Sequence, residues 1–214
     1  LQTLKRVGHK VLSYQQKFNF SEICNFAAEE ATGEFLCFLN NDIEALEPGW
    51  LSSMVEHAMQ PSVGLVGAIL KFPNGAIQHM GIALGYTGVA GHPGRGKNPE
   101  QLVPKNCYRV SAVTFACAVI SRSKFKSLKG LDANFPVGFN DVDISIRSLG
   151  QNLENVVCAH AKLLHRESQS RSRTLSLGGF RQGAKDVLRL LQKHGSLLRE
   201  DFFVRGVLSD KTSK

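Results

Sequence analysis

Apolar residues follow two rhythms along this chain. Ile23, Phe26, Ala27 and Ala31 fall at helical spacing, which predicts a helix capped by Ser21 and closed by Gly33. Glu34-Phe-Leu-Cys-Phe-Leu39 is a continuous run of strand length, as expected of a strand covered on both faces. It stops abruptly at Asn40-Asn41-Asp42, placing polar residues at the C-terminal end of a buried strand, where open α/β sheets bind ligands. Pro48 opens a helix through Trp50, Leu51, Met54, Val55 and Ala58, Pro61 ends it, and Val63 to Phe72 reads as a further buried strand leading to an Asn74-Gly75 turn.

The glycines at 81, 85, 88, 91, 94 and 96 predict a mobile loop over a surface or a site. Strand character resumes at Tyr108 to Val113 and Ala116 to Ser121, and a short helix through Phe125 and Leu128 runs to Gly130. A helix from about Asp141 to Ser148, capped by Asn140, turns Val142, Ile146 and Leu149 inward, and Val156 to Ala159 reads as the last short strand. The polar, basic run after His165 reads as a flexible segment, and the tail from Phe180 as an amphipathic helix on Val187, Leu190, Leu191 and His194. Alternating strands and helices predict an α/β sandwich with a mostly parallel sheet.

Composition narrows the class. With 43% hydrophobic and 21% charged residues over 214 positions, the chain can bury a sizeable core. The longest apolar stretch, Val110 to Ile120, is broken by Ser111 and Thr114 and falls short of the roughly 20 residues a bilayer helix needs. The start LQTLKRVGHK lacks the apolar segment of a signal peptide, and a first residue other than Met is expected of a piece of something longer. Cys24, Cys37, Cys107, Cys117 and Cys158 contain no C-x-x-C pair and sit mostly in apolar runs, which predicts buried reduced thiols in a cytoplasmic protein and argues against zinc. A net charge of +8 favours an anionic partner.

Three constellations can carry chemistry. Asn40-Asn41-Asp42 suits a hard divalent cation that brings its own phosphates, and equally suits an ordinary turn. Asp141 and Asp143 stand in the first turn of a helix, where they complement the macrodipole; there Asp141 is expected to have a lowered pKa and to stay ionised, ready to act as a general base. His165 follows the last strand as either a ligand or a surface histidine, and Arg166, Arg171 and Arg173 beside it form either an anion site or a solvated basic stretch.

In order, FNFSEICNFAAEEATGEFLCFLNNDIEALEPGWL, VGLVGAILKFPNGAIQHMGIALG, RVSAVTFACAVISRSKF, GLDANFPVGFNDVDISIR and HRESQSR resemble the catalytic region of family 2 glycosyltransferases, in the branch of bacterial O-antigen and surface-polysaccharide synthesis. The resemblance covers about Lys17 to Leu208. It implies a GT-A fold, a nucleotide-sugar donor (a UDP- or dTDP-sugar), Mg²⁺ or Mn²⁺, a glycan or lipid-linked acceptor, and inversion by direct displacement. Asp42 matches the DXD-type metal ligand, with Asn40 in place of its first carboxylate and Asn41 beside it on the donor. His165 matches the histidine completing the metal site, and Asp141 the base that deprotonates the acceptor. Asn140 stands where many members have Glu; with Asp143, His79 and His92 it is a candidate for substrate binding, and Arg171 for donor binding. Phe115 occupies a usual glycine position, which is expected to narrow the acceptor side.

The family's first strands, which hold nucleobase and ribose, have no counterpart before Ser21. The expected organisation is therefore an N-terminally truncated catalytic domain at 1–178, a helix and tail at 179–214, and further domains upstream. The implied setting is cytoplasmic, with peripheral contact at the inner face of the membrane. A non-catalytic module that binds nucleotide-sugar is the alternative. A nucleic-acid partner is not expected, because no basic motif is interleaved with aromatics.

Overall fold

The computed structural model describes residues 8–166, 177–198 and Asp201. Its elements are α1 (Phe20–Glu30), β1 (Phe35–Leu39), β2 (Ile43–Ala45), α2 (Trp50–Ala58), β3 (Val63–Lys71), β4 (Ile77–His79), β5 (Ala83–Leu84), β6 (Ala90–Gly91), α3 (Pro99–Leu102), β7 (Tyr108–Val110), β8 (Cys117–Ser121), α4 (Arg122–Ser127), α5 (Asn140–Gly150), β9 (Glu154–His165) and α6 (Leu177–His194).

The main sheet runs β1-β8-β3-β9-β2, with β4 on β3 and β7 on β9. It is mixed. β3 and β9 pair in parallel, and β8 lies antiparallel to both β1 and β3. Consequently β1, β3 and β9 all point the same way, and their C-terminal ends open on one edge, the edge at which α/β sheets place ligands.

The sheet buries both faces because β3 is apolar on both. Leu65 and Ile69 join Leu36, Phe115, Ile120, Phe125 and Ile144 in one core layer, while Val66 and Leu70 join Met54, Ala58, Val119, Cys158 and Leu163 in the other. β3 also lets α5 approach closely: a Cβ at Gly64 would stand 2.0 Å from Ser148 Oγ and 3.1 Å from Leu153 Cβ. Any larger residue there would push away the helix that carries Asp141.

Several expectations change. The cap of α1 is Asn19, whose side chain accepts from the Glu22 N–H at 3.3 Å. Ser21 lies one turn position inside and is buried, so its hydroxyl needs an internal acceptor and donates to Phe135 O at 2.7 Å. β1 is not covered on both faces: among the described residues it is the outer strand, bonded to β8 alone, and Cys37 and Leu39 are exposed. β9 runs on past Ala159 because its far half alternates, with His160 exposed and Ala161 and Leu163 buried, and so needs cover on one face only.

The glycine-rich stretch is more ordered than a mobile loop. Met80 to Leu84 are buried, Ile82 bridges Ala112, and β5 and β6 form a small ribbon turned by Gly85 at φ 70°. In α6 the inward stripe is Asp186, Leu190 and His194, whereas Leu191 is exposed. The thiols divide too: Cys24, Cys117 and Cys158 are buried, Cys107 is half-buried and Cys37 exposed. The expected flexible run at 167–176 lies outside the described residues.

Candidate active site

A short antiparallel pairing builds the centre of the site. Asn40, Asn41 and Asp42 do form a turn, closed by Ile43 N–H on Asn40 O at 3.4 Å, and β2 then pairs with the end of β9 so that Ile43 faces His165. The Arg166 N–H donates to Asp42 O at 3.0 Å, and its guanidinium grips the Glu44 carboxylate at 3.0 and 2.9 Å. This clamp brings Asp42 Oδ1 to 3.1 Å from His165 Nε2. The turn reading and the ligand reading of Asp42 therefore coexist. Asn40 is half-buried, its N–H bonded to Ala116 O at 2.9 Å, and Asn41 is exposed at the tip.

His165 is held from its other side by a residue the sequence motifs passed over. Gln78 Oε1 lies 2.5 Å from His165 Nδ1, and its amide nitrogen lies 3.5 Å from His165 O. An amide oxygen can only accept, so Nδ1 donates to Gln78 and Nε2 is the atom that faces the Asp42 carboxylate. A ring nitrogen and a carboxylate oxygen 3.1 Å apart either share a proton or take a cation together. Cis ligands of an octahedral Mg²⁺-sized ion stand roughly 3.0 Å apart, so the pair fits a divalent cation. Histidine ligands commonly donate their second N–H in this way. Gln78 sits in IQHMG beside the candidate His79, in the middle of β4, and as a lone neutral amide it carried no signal in the sequence.

His79 and His92 meet each other, with their Nδ1 atoms 3.0 Å apart and rings edge to face. Burial pushes the His79 imidazole well below its usual pKa, and His92, Arg95 and His165 act in the same direction, so His79 is neutral. Arg95 donates to Gln78 O at 3.3 Å and lies 4.6 Å from the centre of the Phe72 ring. Gln78, on the Nδ1 side of His165 away from Asp42, thus also holds Arg95 through its backbone carbonyl.

Asp141 lies along the same edge. The chain enters α5 through Phe139 in the left-handed region at φ 62°, so Phe139 is the cap residue and Asn140 the first helical one. For a bulky L residue this costs roughly 1–2 kcal/mol and persists only where packing over-determines it. Asp141 Oδ1 accepts from Val142 N–H at 2.9 Å. Burial pushes its carboxyl above the usual range, against hydrogen bonds from the Val142 backbone, the Thr114 side chain, and the backbones of Asp141 and Phe115. The expected lowering at a helix start is thus overturned by desolvation. The 114–116 loop that borders Asp141 is the one bonded to Asn40, which links the carboxylate to the Asp42 turn.

Three expected roles fail on geometry. Asn140 is buried and spends its amide on Phe135 O and Val137 O at 3.4 and 3.2 Å. Asp143 is fully buried on another side of α5, bonded by Arg147 Nε, Lys193 and His194, each at 2.8 Å, so both its oxygens are taken. Burial would raise this carboxyl, but His194, Lys193 and Arg147 hold it down at about 2. Phe115 does not narrow an acceptor groove, because it is buried against Phe38 with ring centres 4.8 Å apart. Arg171 lies outside the described residues.

A mixed sheet covered by helices, opening its strand ends on a carboxylate, a histidine and a second carboxylate, is a GT-A arrangement. The structure superposes on GalNAc-T7 bound to UDP, GalNAc and Mn²⁺ with a TM-score of 0.69 over 89% of this chain and 37% of that one, at 15% identity. It also matches the mannosyltransferase PcManGT of Pyrobaculum calidifontis, in complex with GDP-Man and Mn²⁺, with a TM-score of 0.59 over 91% of this chain and 49% of that one, at 13% identity. The Glycosyl transferase family 2 model matches residues 2–129, and the chain belongs to that family. It is 41% identical to the O-antigen biosynthesis protein RfbC of Myxococcus xanthus over 75% of this chain, and 39% identical to the protein y4gI of Sinorhizobium fredii over 76%. The chain spans only 13% and 18% of those two proteins. No helix among the described residues is long and apolar enough to cross a membrane.

Proposed function

We propose that this chain carries the metal and diphosphate half of an inverting glycosyltransferase, moving a sugar from a nucleotide-sugar donor to a glycan or lipid-linked acceptor in surface-polysaccharide synthesis. The observation that carries the reading is the Asp42 and His165 pair at 3.1 Å, with His165 oriented by Gln78, on the sheet edge shared with Asp141. When bound between them, Mg²⁺ or Mn²⁺ would neutralise the leaving diphosphate as a Lewis acid. Asp42 and His165 hold the donor end, and Arg95 beside Gln78 adds positive charge nearby. Asp141 accepts the acceptor hydroxyl's proton as that oxygen attacks the anomeric carbon from the face opposite the departing nucleoside diphosphate. Its raised pKa makes it a stronger base than an exposed carboxylate.

The relatives named for O-antigen biosynthesis and the neighbours named with UDP or GDP-Man support the donor class and the setting; the UDP- or dTDP-sugar choice and peripheral membrane contact are parts of the same proposal. The division at 1–178 and 179–214 is refined within it: α6 is tied to α5 through Asp143, so the helix is an integral buttress of the catalytic domain. The test is release of labelled sugar from UDP- and dTDP-sugars in Mn²⁺ against the same reaction in EDTA. EDTA-sensitive turnover supports the proposal. Metal-dependent binding with no turnover in the presence of lipid-linked and glycan acceptors would instead leave a binding module.

A further inference from the structure

His57, Cys107 and Cys158 come together on the opposite core layer from α5. Their ligand atoms all lie within 4.8 Å of one another. We propose that they form a second metal site, built for a thiophilic divalent cation of the Zn²⁺ class and independent of the Asp42 and His165 pair.

The fold assembles the three from different elements. β7 pairs antiparallel with β9 so that Tyr108 faces Val157, which puts the preceding residue, Cys107, opposite Cys158. α2 lies on the same face, with Met54 and Ala58 in the core layer that holds Cys158 and borders Cys107. His57 sits in the last turn of α2, between those two anchors. Helix, strand and strand end thus supply one ligand each, and two of the three are fixed in regular structure. The spacing along the chain follows no zinc motif, so the sequence pattern that argued against zinc could not see a site made by strand register.

The donor set selects the ion. Tetrahedral Zn²⁺ with sulfur at about 2.3 Å and imidazole nitrogen at about 2.0 Å spaces its ligand atoms roughly 3.5–3.8 Å apart, which small side-chain rotations reach from here. Two thiolates and an imidazole disfavour Mg²⁺ and Mn²⁺, which prefer oxygen. Three protein ligands leave a fourth position for water, and the half-burial of His57 and Cys107 gives that position an approach from solvent. Burial first, and the neighbouring Cys107 next, push the Cys158 thiol up to about 11, and because a metal takes cysteine as thiolate, binding there releases that proton. Occupied, the site staples α2 to β7 and β9.

The test uses Zn²⁺ and Co²⁺ on the 214-residue chain under reducing conditions. The expected result is one equivalent of Zn²⁺ by elemental mass spectrometry, and with Co²⁺ a sulfur-to-cobalt charge-transfer band and tetrahedral visible bands. Asp42→Asn should keep that spectrum, which separates this site from the sugar-donor reading. His57→Gln and Cys107→Ser change half-buried positions and so preserve the fold. Each should weaken Zn²⁺ binding by about a hundredfold or more and abolish the Zn²⁺-induced rise in Tm seen in the parent chain. Two results overturn the proposal: a chain that takes up Co²⁺ with no thiolate band, or a band that survives in both variants. Recovery of Cys107 and Cys158 as a disulfide, with no Zn²⁺ uptake after reduction, would also overturn it and assign the pair to redox chemistry.

Discussion

Asp42 Oδ1 and His165 Nε2, drawn from opposite ends of the sheet-forming chain, stand 3.1 Å apart because β2 pairs with the last residues of β9. Neither residue is distinctive alone. In the proposed reading their approach gives the strand-end edge a place for a cation, with Gln78 on the Nδ1 side leaving Nε2 to face it.

Gln78→Ala should therefore weaken Mn²⁺ binding by about 10–100-fold, the usual cost of removing the partner that orients a histidine ligand. Titration calorimetry with Mn²⁺ and UDP checks this. Unchanged affinity would mean that the His165 tautomer is set elsewhere.

Asp141 and Asp143 should respond oppositely to neutralisation. The folded chain raises the Asp141 pKa, so its charged form is disfavoured by folding, and the cost is present at pH above that raised value. Asp141→Asn is expected to leave stability unchanged or higher at pH 7 while lowering kcat by about 10²-fold or more with donor binding intact. The acid limb of the kcat/KM profile should lie above the ordinary carboxylate range. A loss of donor affinity equal to the loss of rate would move the base elsewhere.

Asp143 has the reverse sign. Its carboxyl titrates at about 2 in the folded chain against an ordinary 3.8, so its stabilisation is fully present above about pH 4 and disappears as pH falls through 2. Asp143→Asn removes the carboxylate that His194 shares with Lys193 and Arg147, which keep Asp132 and the Leu128 and Gly130 carbonyls, and should cost about 2–3 kcal/mol at pH 7. The penalty should shrink toward pH 2. Urea unfolding at several pH values checks both sign and slope.

Local pattern carried much of this fold. The helix at Trp50 to Ala58 and the buried strand from Val63 are legible because their apolar spacing and flanking prolines agree, and the helix holding Asp141 through its apolar spacing, although its cap is Phe139 and not the expected Asn140. The misread parts depend on tertiary pairing. Register against β3 extends β9 past His160, and the bridge from Ile82 to Ala112 orders the glycine-rich stretch. At the site, the ordered motifs pointed to Asp42, His165 and Asp141, and the fold brings the first two to 3.1 Å, while the roles of all three belong to the proposal. Gln78 was not legible, since a single neutral amide has no spacing to betray it, and Asp143 looked like a site residue because its three side-chain partners include two from α6, far along the chain.

The most direct test is Mn²⁺ titration, in the presence of UDP, of the chain carrying ¹⁵N-labelled histidine, read by NMR. The account predicts that the His165 imidazole, identified through His165→Gln, broadens before the other six of the 7 histidines, and that Asp42→Asn removes this selectivity. Broadening that spares His165, or that persists unchanged in Asp42→Asn, would contradict it.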